Sequence, residues 1–384
     1  MPGSEFLASR TPISVQEITD AFDALAPEFE AEARKCEIER RPTAALADLM
    51  RQSKIPLAKL PHDVGGCELC PSDQIDFFAR LAYVNPTAAW LAFNQNGSLG
   101  IIGSNASEEA LEKIFTAHPV PLMAAVSAPT GRSEPVEGGY RLTGRWSYAS
   151  GVTCADYIFL ASICPDPPGP LGVIIPTSEV TLHDNWHVAA LQGTGSVDVT
   201  VEDVFVPEEM TFNPFVQQRG GVMYGKLGYR AYVGGENFGF TLGVAQRLVD
   251  EIAKLAKGKK RVLDPATVGE RGAFQQELGR TDATLRAARA YLIDELDLAE
   301  AIAIETDAPL AGPDVARVEA ALGWATETVV KACTQLFPYA GAGALHLDSP
   351  IQRAFRDVIG SGQHIVATNE TLDKWGQVLM ELAD

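Results

Sequence analysis

The spacing of apolar side chains changes period twice along this chain, and that double change limits the folds open to it. Over residues 15 to 117, apolar positions recur at helical intervals. Ile18, Phe22, Leu25 and Phe29 form one stripe, and Ile75, Phe78, Ala79 and Ala82 form another. From 118 to 222 the pattern becomes alternation, in the runs 140–148, 157–162, 172–175 and 197–206, with Gly, Pro and Asp between them. After a connector carrying Gly220, Gly221, Gly225 and Gly228, helical spacing resumes with Phe240, Leu242, Val244 and Leu248. It continues through 273–304 and 314–336. This order predicts an α+β protein with an N-terminal helical domain over 11–117, a middle β-barrel or sandwich domain over 118–222, and a C-terminal helical bundle over 223–384.

With 384 residues, 46% of them hydrophobic, the chain can bury a large core. It has no apolar run long enough to span a bilayer and no secretory leader pattern, so a cytoplasmic protein is expected. The formal charge of −19 argues against nucleic acid or an anionic membrane as partner. The basic run over 254–261 reads instead as a helix C-terminus ended by Gly258, where cations oppose the dipole. Gly3-Ser4-Glu5-Phe6 reads as a cloning remnant, and the first ten residues receive no structural weight. The six cysteines are too scattered for a disulfide framework. Cys67 and Cys70 have the C-x-x-C spacing but lack two further ligands for a metal, so they read as reduced thiols in a loop.

Chemistry concentrates near the C-terminus. Arg356-Asp357 is followed by His364, after Gly341-Ala342-Gly343-Ala344 and Asp348-Ser349-Pro350-Ile351-Gln352-Arg353. Imidazole is the side chain whose ordinary pKa lets it take and return a proton near neutrality. A lone histidine more often packs against a helix and bonds a carboxylate. A second block runs Ala128-Pro129-Thr130-Gly131-Arg132, then Gly144-Arg145-Trp146-Ser147-Tyr148-Ala149-Ser150-Gly151. A third runs Asn185-Trp186-His187 through Gly193-Thr194-Gly195-Ser196 to Asp203-Val204-Phe205-Val206-Pro207.

Together these blocks, over roughly residues 15 to 380, resemble the acyl-CoA dehydrogenase fold. Within it they are similar to the flavin-dependent monooxygenases, the branch of 4-hydroxyphenylacetate hydroxylases, dibenzothiophene monooxygenases and indole oxygenases. In dehydrogenases of that fold a frequent base position would fall at Ile365, which cannot take a proton, whereas the monooxygenase branch carries the Arg-Asp pair with a His eight residues on. The resemblance implies catalytic roles for His364 and Ser150, with Ser150 donating near flavin N5. It implies cofactor contacts from Ser127, Trp146, Tyr148, Gly151, Arg271, Phe274 and Gly341. Arg271 belongs to an Arg-x-x-Phe element that reaches the pyrophosphate of a flavin on an adjacent subunit, a task suited to the guanidinium fork.

An isoalloxazine ring needs a flat apolar face and a few donors, and a strand ending in Trp146, Tyr148, Ser150 and Gly151 offers both. Without the flanking blocks, Trp146 and Tyr148 read as core aromatics. Arg271 alone reads as a helix residue paired with Glu270 or Glu277. Several members of the branch place a His on the helix over 85–96, where this chain has Asn94 and Asn96. Asn96 is assigned to the catalytic set, and Trp90, Phe93 and Asn94 to a pocket for a flat ring. Phe337 stands about where the family has a Gln.

The implied activity is monooxygenation of a small hydrophobic aromatic or N-heteroaromatic substrate with O2. Reduced FAD, or FMN, would come from a separate NAD(P)H-dependent reductase, because the chain has no G-x-G-x-x-G after a strand. A homotetramer is implied, and no metal. The alternative is an acyl-CoA dehydrogenase, whose other base position falls at Val233, with Glu236 the acid nearest to it.

Overall fold

A computed structural model describes residues 3–260, 265–368 and 370–383. The helices before the sheet are α1 (Gly3–Ser9), α2 (Val15–Glu39), α3 (Ala44–Ser53), α4 (Pro71–Val84), α5 (Pro86–Asn105) and α6 (Glu108–Ala117). Strands β1 (Met123–Val136), β2 (Gly139–Trp146), β3 (Tyr157–Pro165), β4 (Pro168–Pro176), β5 (Thr181–Leu182), β6 (Val199–Pro207) and β7 (Thr211–Phe212) follow. The chain ends with α7 (Tyr229–Gly258), α8 (Gly272–Thr306), α9 (Gly312–Leu336), α10 (Pro350–Ser361) and α11 (Glu370–Glu381). Both changes of period therefore fall where the spacing puts them. α2 starts at a capping box in which Ser14 Oγ accepts from the Glu17 amide and Glu17 accepts from the Ser14 amide. α7 ends at Gly258, as the basic run predicts, while Arg261 lies outside the described residues.

Two compact units emerge. The first comprises the residues up to Cys70, Thr87–Val188 and Gln192–Gly225. Its seven strands form one sheet in the order β5-β6-β2-β1-β3-β4-β7, so the expected barrel or sandwich is a single continuous ladder. β1 runs parallel to β3, and the other pairings are antiparallel. The β1–β3 register breaks between Val126 and Gly131, which pushes residues 127–130 out as an exposed bulge. α5 is buried on almost every side, as expected of a helix with no polar face. Residues 3–10 do carry structure. Arg10 Nε donates to the Val64 carbonyl at 2.9 Å, and its guanidinium lies 4.9 Å from the Phe115 ring centroid.

The second unit comprises Pro71–Pro86, Ala189–Leu191 and the residues from Lys226 on. α4 falls within the segment assigned to the N-terminal helical domain, yet it packs here, on α7. Gly235, Gly239 and Gly243 recur every four residues on α7 and lie against the backbone of α4. A Cβ at these positions would stand 2.1 Å from Pro71 O, 2.6 Å from Ile75 O and 2.1 Å from Ala79 O. α8 and α9 pair with each other and with α7, and α10 packs on α7.

The Arg-Asp pair of α10 turns out to be a clamp. Asp357 is buried and accepts from the Leu191 amide at 2.7 Å, while Arg356 donates to the Ala189 carbonyl and, at 2.7 Å, to Gln352. Leu191 is held with φ +56, a conformation that only outside restraint makes tolerable for leucine. Gly360 completes the seat, because a Cβ there would lie 2.8 Å from Ala190 Cβ. Asp357→Ala is expected to cost about 1.5–3 kcal/mol, the range for a hydrogen bond to a charged group, and Asp357→Asn less. Urea unfolding followed by circular dichroism measures both; an unchanged midpoint in the alanine variant would remove the clamp from the account.

Candidate active site

In the first unit the turn after β2 is fastened to the segment after residue 193. Ala149 N donates to Val197 O at 3.0 Å and Gly151 N to Thr194 O at 2.9 Å. Ser150 and Ser196 share a hydroxyl hydrogen bond of 2.7 Å, and Ser196 and Thr194 share another of 2.7 Å. All three hydroxyl residues are buried. Gly151 has φ +75, and a Cβ on it would stand 2.6 Å from Leu91 Cδ2, so the turn comes against α5 where only glycine is accommodated. From the same helix, Asn94 Oδ1 accepts from the Ala125 amide of β1 at 3.0 Å, two residues before the exposed Ser127.

The predicted aromatic residues divide. Tyr148, at φ +67, is 72% exposed and meets Trp186 edge-on, with ring centroids 6.3 Å apart. Trp146 does not belong to a ligand-facing wall. It is fully buried, its indole donates to Ala161 O at 2.8 Å, and its ring occupies the space left by Gly131 and Gly144. It is a core aromatic, and Trp186 stands beside Tyr148 in its place. The loop bearing Trp186 is tied down by Arg40, which donates to Trp186 O at 3.1 Å and lies 3.0 Å from His187 Nδ1. His187 is thus a loop anchor.

Asn96 is also corrected. Its side chain is fully buried and engaged, with Oδ1 accepting from Lys59 N at 2.8 Å and Nδ2 donating to Ile55 O at 3.0 Å and Ala92 O at 2.9 Å. Such a side chain closes the 55–59 turn onto α5 and has no group left for a substrate. Trp90 and Phe93 are nearly buried, with ring centroids 5.4 Å apart at 69°. Cys67 and Cys70 carry thiols rather than a shared disulfide. Among the described residues no cluster of His, Cys, Asp or Glu has the form of a metal site.

In the second unit, His364 follows α10 and caps the 3-10 turn Ile365–Ala367, its Nδ1 accepting from Val366 N at 3.4 Å. Protein surrounds most of the ring while part of its surface stays open to solvent. Burial, aided by the Arg230 guanidinium, pushes its pKa down to about 4. The imidazole is therefore neutral at pH 7.

Folding lowers this pKa from the ordinary 6.5. Between about 4 and 6.5 the unfolded chain therefore holds a proton that the folded chain rejects. Stability from this group is complete above that window and falls as pH drops through it. Urea midpoints measured across the window should rise with pH more steeply in the wild type than in His364→Gln. Equal slopes would show that the ring is not held neutral.

Arg271 is half-buried at the N-cap of α8, where Phe274 meets Tyr339 with centroids 5.4 Å apart. Nearby, Glu270 caps Thr267 and Glu277 lies 3.9 Å from Arg280. Gly341, at φ +64, sits beside Lys259, whose ammonium donates to Ala340 O. Phe337 stacks on Phe355 at 4.0 Å. This cluster lies at the C-terminal end of α7, while His364 lies by Arg230 at its other end. A helix of that length separates the two by about 40 Å. One flavin cannot touch both within a chain.

Sequence reasoning missed Trp186 as the partner of Tyr148, and it missed Thr194 and Ser196 as partners of Ser150. The signal was the hydroxyl-rich run Gly193-Thr194-Gly195-Ser196, which belongs to the third block that carries the resemblance.

Residues 238–369 match the family model described as acyl-CoA dehydrogenase, C-terminal domain. A pigment production hydroxylase of Rhodococcus sp. (strain ATCC 21145) is 27% identical over 358 residues, covering 90% of this chain and 91% of that one. The oxygenase component of an FADH2-dependent resorcinol hydroxylase from Rhizobium sp. (strain MTP-10005) is 26% identical over 364 residues, covering 88% and 87%. Among solved structures, XiaF from Streptomyces sp., in complex with FADH2 and glycerol, superposes with a TM-score of 0.84 at 22% identity, covering 99% of this chain and 97% of that one. That likeness shows the fold, with N-terminal helices, a central sheet and C-terminal helices. Matched along nearly its whole length, the chain has the acyl-CoA dehydrogenase fold and is similar to the oxygenase components of flavin-dependent monooxygenases built on it.

Proposed function

We propose that this chain receives reduced flavin from a separate NAD(P)H-dependent reductase and inserts one atom of O2 into a small hydrophobic aromatic or N-heteroaromatic molecule, phenol-like or indole-like. The observation that carries the reading is the kind of proton acceptor available. The two positions where a dehydrogenase base would stand hold Ile365 and Val233, and Glu236, the acid nearest the latter, is wholly buried in α7. His364 offers a neutral imidazole instead.

Reduced flavin, when bound, supplies the electrons that activate O2. The residues present suit such a ring, since Tyr148 offers an exposed aromatic face with Trp186 edge-on beside it, and Ser150 carries a hydroxyl two residues on. Gly151 allows the backbone to approach. His364 orients the substrate hydroxyl or ring N–H and accepts its proton as oxygen is transferred. Its depressed pKa makes it a weak base before substrate arrives, which favours orientation as its first task. Trp90, Phe93 and Asn94 are the residues assigned to the planar substrate, and Asn96 holds their helix in place.

FAD is the proposed flavin over FMN, because Arg271, with Phe274 and Gly341, offers a cationic element for a diphosphate that FMN lacks. The resorcinol hydroxylase relative uses FADH2. Exposed Tyr291, Leu298 and Ile304 on α8 and Trp324 on α9 supply apolar surface for a homotetramer in which Arg271 crosses to a neighbour. Two titrations test the function. Acyl-CoAs added without oxygen to the oxidised holoenzyme should leave its flavin colour intact, while reduced FAD and air should convert members of a panel such as resorcinol and indole. Bleaching by an acyl-CoA with the panel untouched would establish the dehydrogenase alternative.

A further inference from the structure

Ser150 is one end of a buried file of hydroxyls, and that file has no evident need in the packing of the sheet. Its Oγ lies 2.7 Å from Ser196 Oγ, which lies 2.7 Å from Thr194 Oγ1. Each hydroxyl has one proton and can both give and accept, so a file of three has a direction, and that direction decides which end offers its proton outward. The backbone fixes the spacing, because the Ala149 and Gly151 amides donate to the carbonyls of Val197 and Thr194 on either side of Ser196. The three residues are 6%, 2% and 1% exposed in the order Ser150, Ser196, Thr194, so water competes little for these bonds.

We infer that Ser196 and Thr194 are positioning residues for the oxygenation site, running as a donor file from Thr194 to Ser196 to Ser150 so that the Ser150 proton is left to point at a flavin nitrogen acceptor. This rests on the reading of Ser150 as the flavin donor and extends it to two residues that would not touch the cofactor. With Ser196 donating into it, the Ser150 oxygen is satisfied as an acceptor. Its one proton then has no buried competitor in the file, and each bond polarises the next. Without Ser196, the Ser150 hydroxyl can rotate away from the ligand.

The test is a double-mutant cycle read in two ways, by fluorescence titration of apoprotein with oxidised FAD and by hydrogen peroxide released per reduced FAD consumed in air. Ser196→Ala should weaken FAD binding and raise the peroxide leak by about five- to tenfold, the size expected for one lost hydrogen bond. Ser196→Thr, which keeps the hydroxyl, should stay close to wild type. The Ser150→Ala/Ser196→Ala pair should be no worse than Ser150→Ala alone, because the second residue acts only through the first. Thr194→Val gives the same comparison one step further along the file if Ser196→Ala does not fold, as judged by circular dichroism. A silent Ser196→Ala, or effects that add in the double variant, would overturn the inference while leaving Ser150 in its role. A silent Ser150→Ala would overturn that role and the inference with it.

Discussion

His364→Ala is expected to leave the binding of reduced FAD nearly intact while product formation falls roughly 10²–10⁴-fold, the usual contribution of a positioned proton-transfer group. Flavin binding is assigned to other residues in this proposal, so the loss should appear in turnover and in coupling, with the missing product replaced by hydrogen peroxide. The environment of the ring adds a second signature. With its pKa pushed down to about 4, the imidazole is neutral over the working range, so the acidic limb of the rate profile should not fall near the ordinary 6.5. Steady-state assays of the aromatic panel from pH 5 to 8 measure both. A fully coupled His364→Ala enzyme would mean that substrate orientation is managed elsewhere.

The second large effect concerns the seam between α7 and α4. Helix propensity alone says that Gly243→Ala in the middle of α7 should stabilise by about 1 kcal/mol. The structure says the reverse, because the new Cβ would stand 2.1 Å from Ala79 O and 2.8 Å from Ala79 C, backbone atoms that cannot swing aside. Overpacking of this kind costs about 1–3 kcal/mol or more, so Gly243→Ala should lower stability and Gly243→Val should lower it by about 3 kcal/mol or more. Urea unfolding of the two variants decides between propensity and packing. A more stable alanine variant would mean that the helices do not meet as closely as the three glycines require.

Much of this was legible in the chain because each signal was local. The 3.6-residue spacing gave α2, α4, α8 and α9, alternation gave the strands, and Gly258 with the lysines around it marked the end of α7. His364 stands out in the sequence through its spacing from Arg356 and Asp357. The work of that pair does not, since its partners, Ala189 and Leu191, lie 166 or more residues away and are met through backbone atoms that carry no sequence signature. Trp146 was misread for a related reason. An aromatic residue at the end of a strand looks the same in sequence whether it faces a ligand or fills the gap over two glycines, and here Gly131 and Gly144, distant in the chain, provide the gap. Asn96 resembled a substituted catalytic histidine, yet its buried amide satisfies three backbone groups of the 55–59 turn and of its own helix. α4 followed the correct period, but its partner is chosen by glycines more than 150 residues downstream.

The central claim is that this chain transfers an oxygen atom. It is tested most directly by loading the enzyme with reduced FAD in the absence of air, adding isotopically labelled O2 together with resorcinol or indole, and weighing the product by mass spectrometry. The account predicts a product carrying one labelled oxygen atom and a yield that collapses in His364→Ala. Unlabelled substrate recovered beside labelled hydrogen peroxide across the phenolic and indolic panel, with an acyl-CoA instead desaturated by the oxidised holoenzyme, would contradict it.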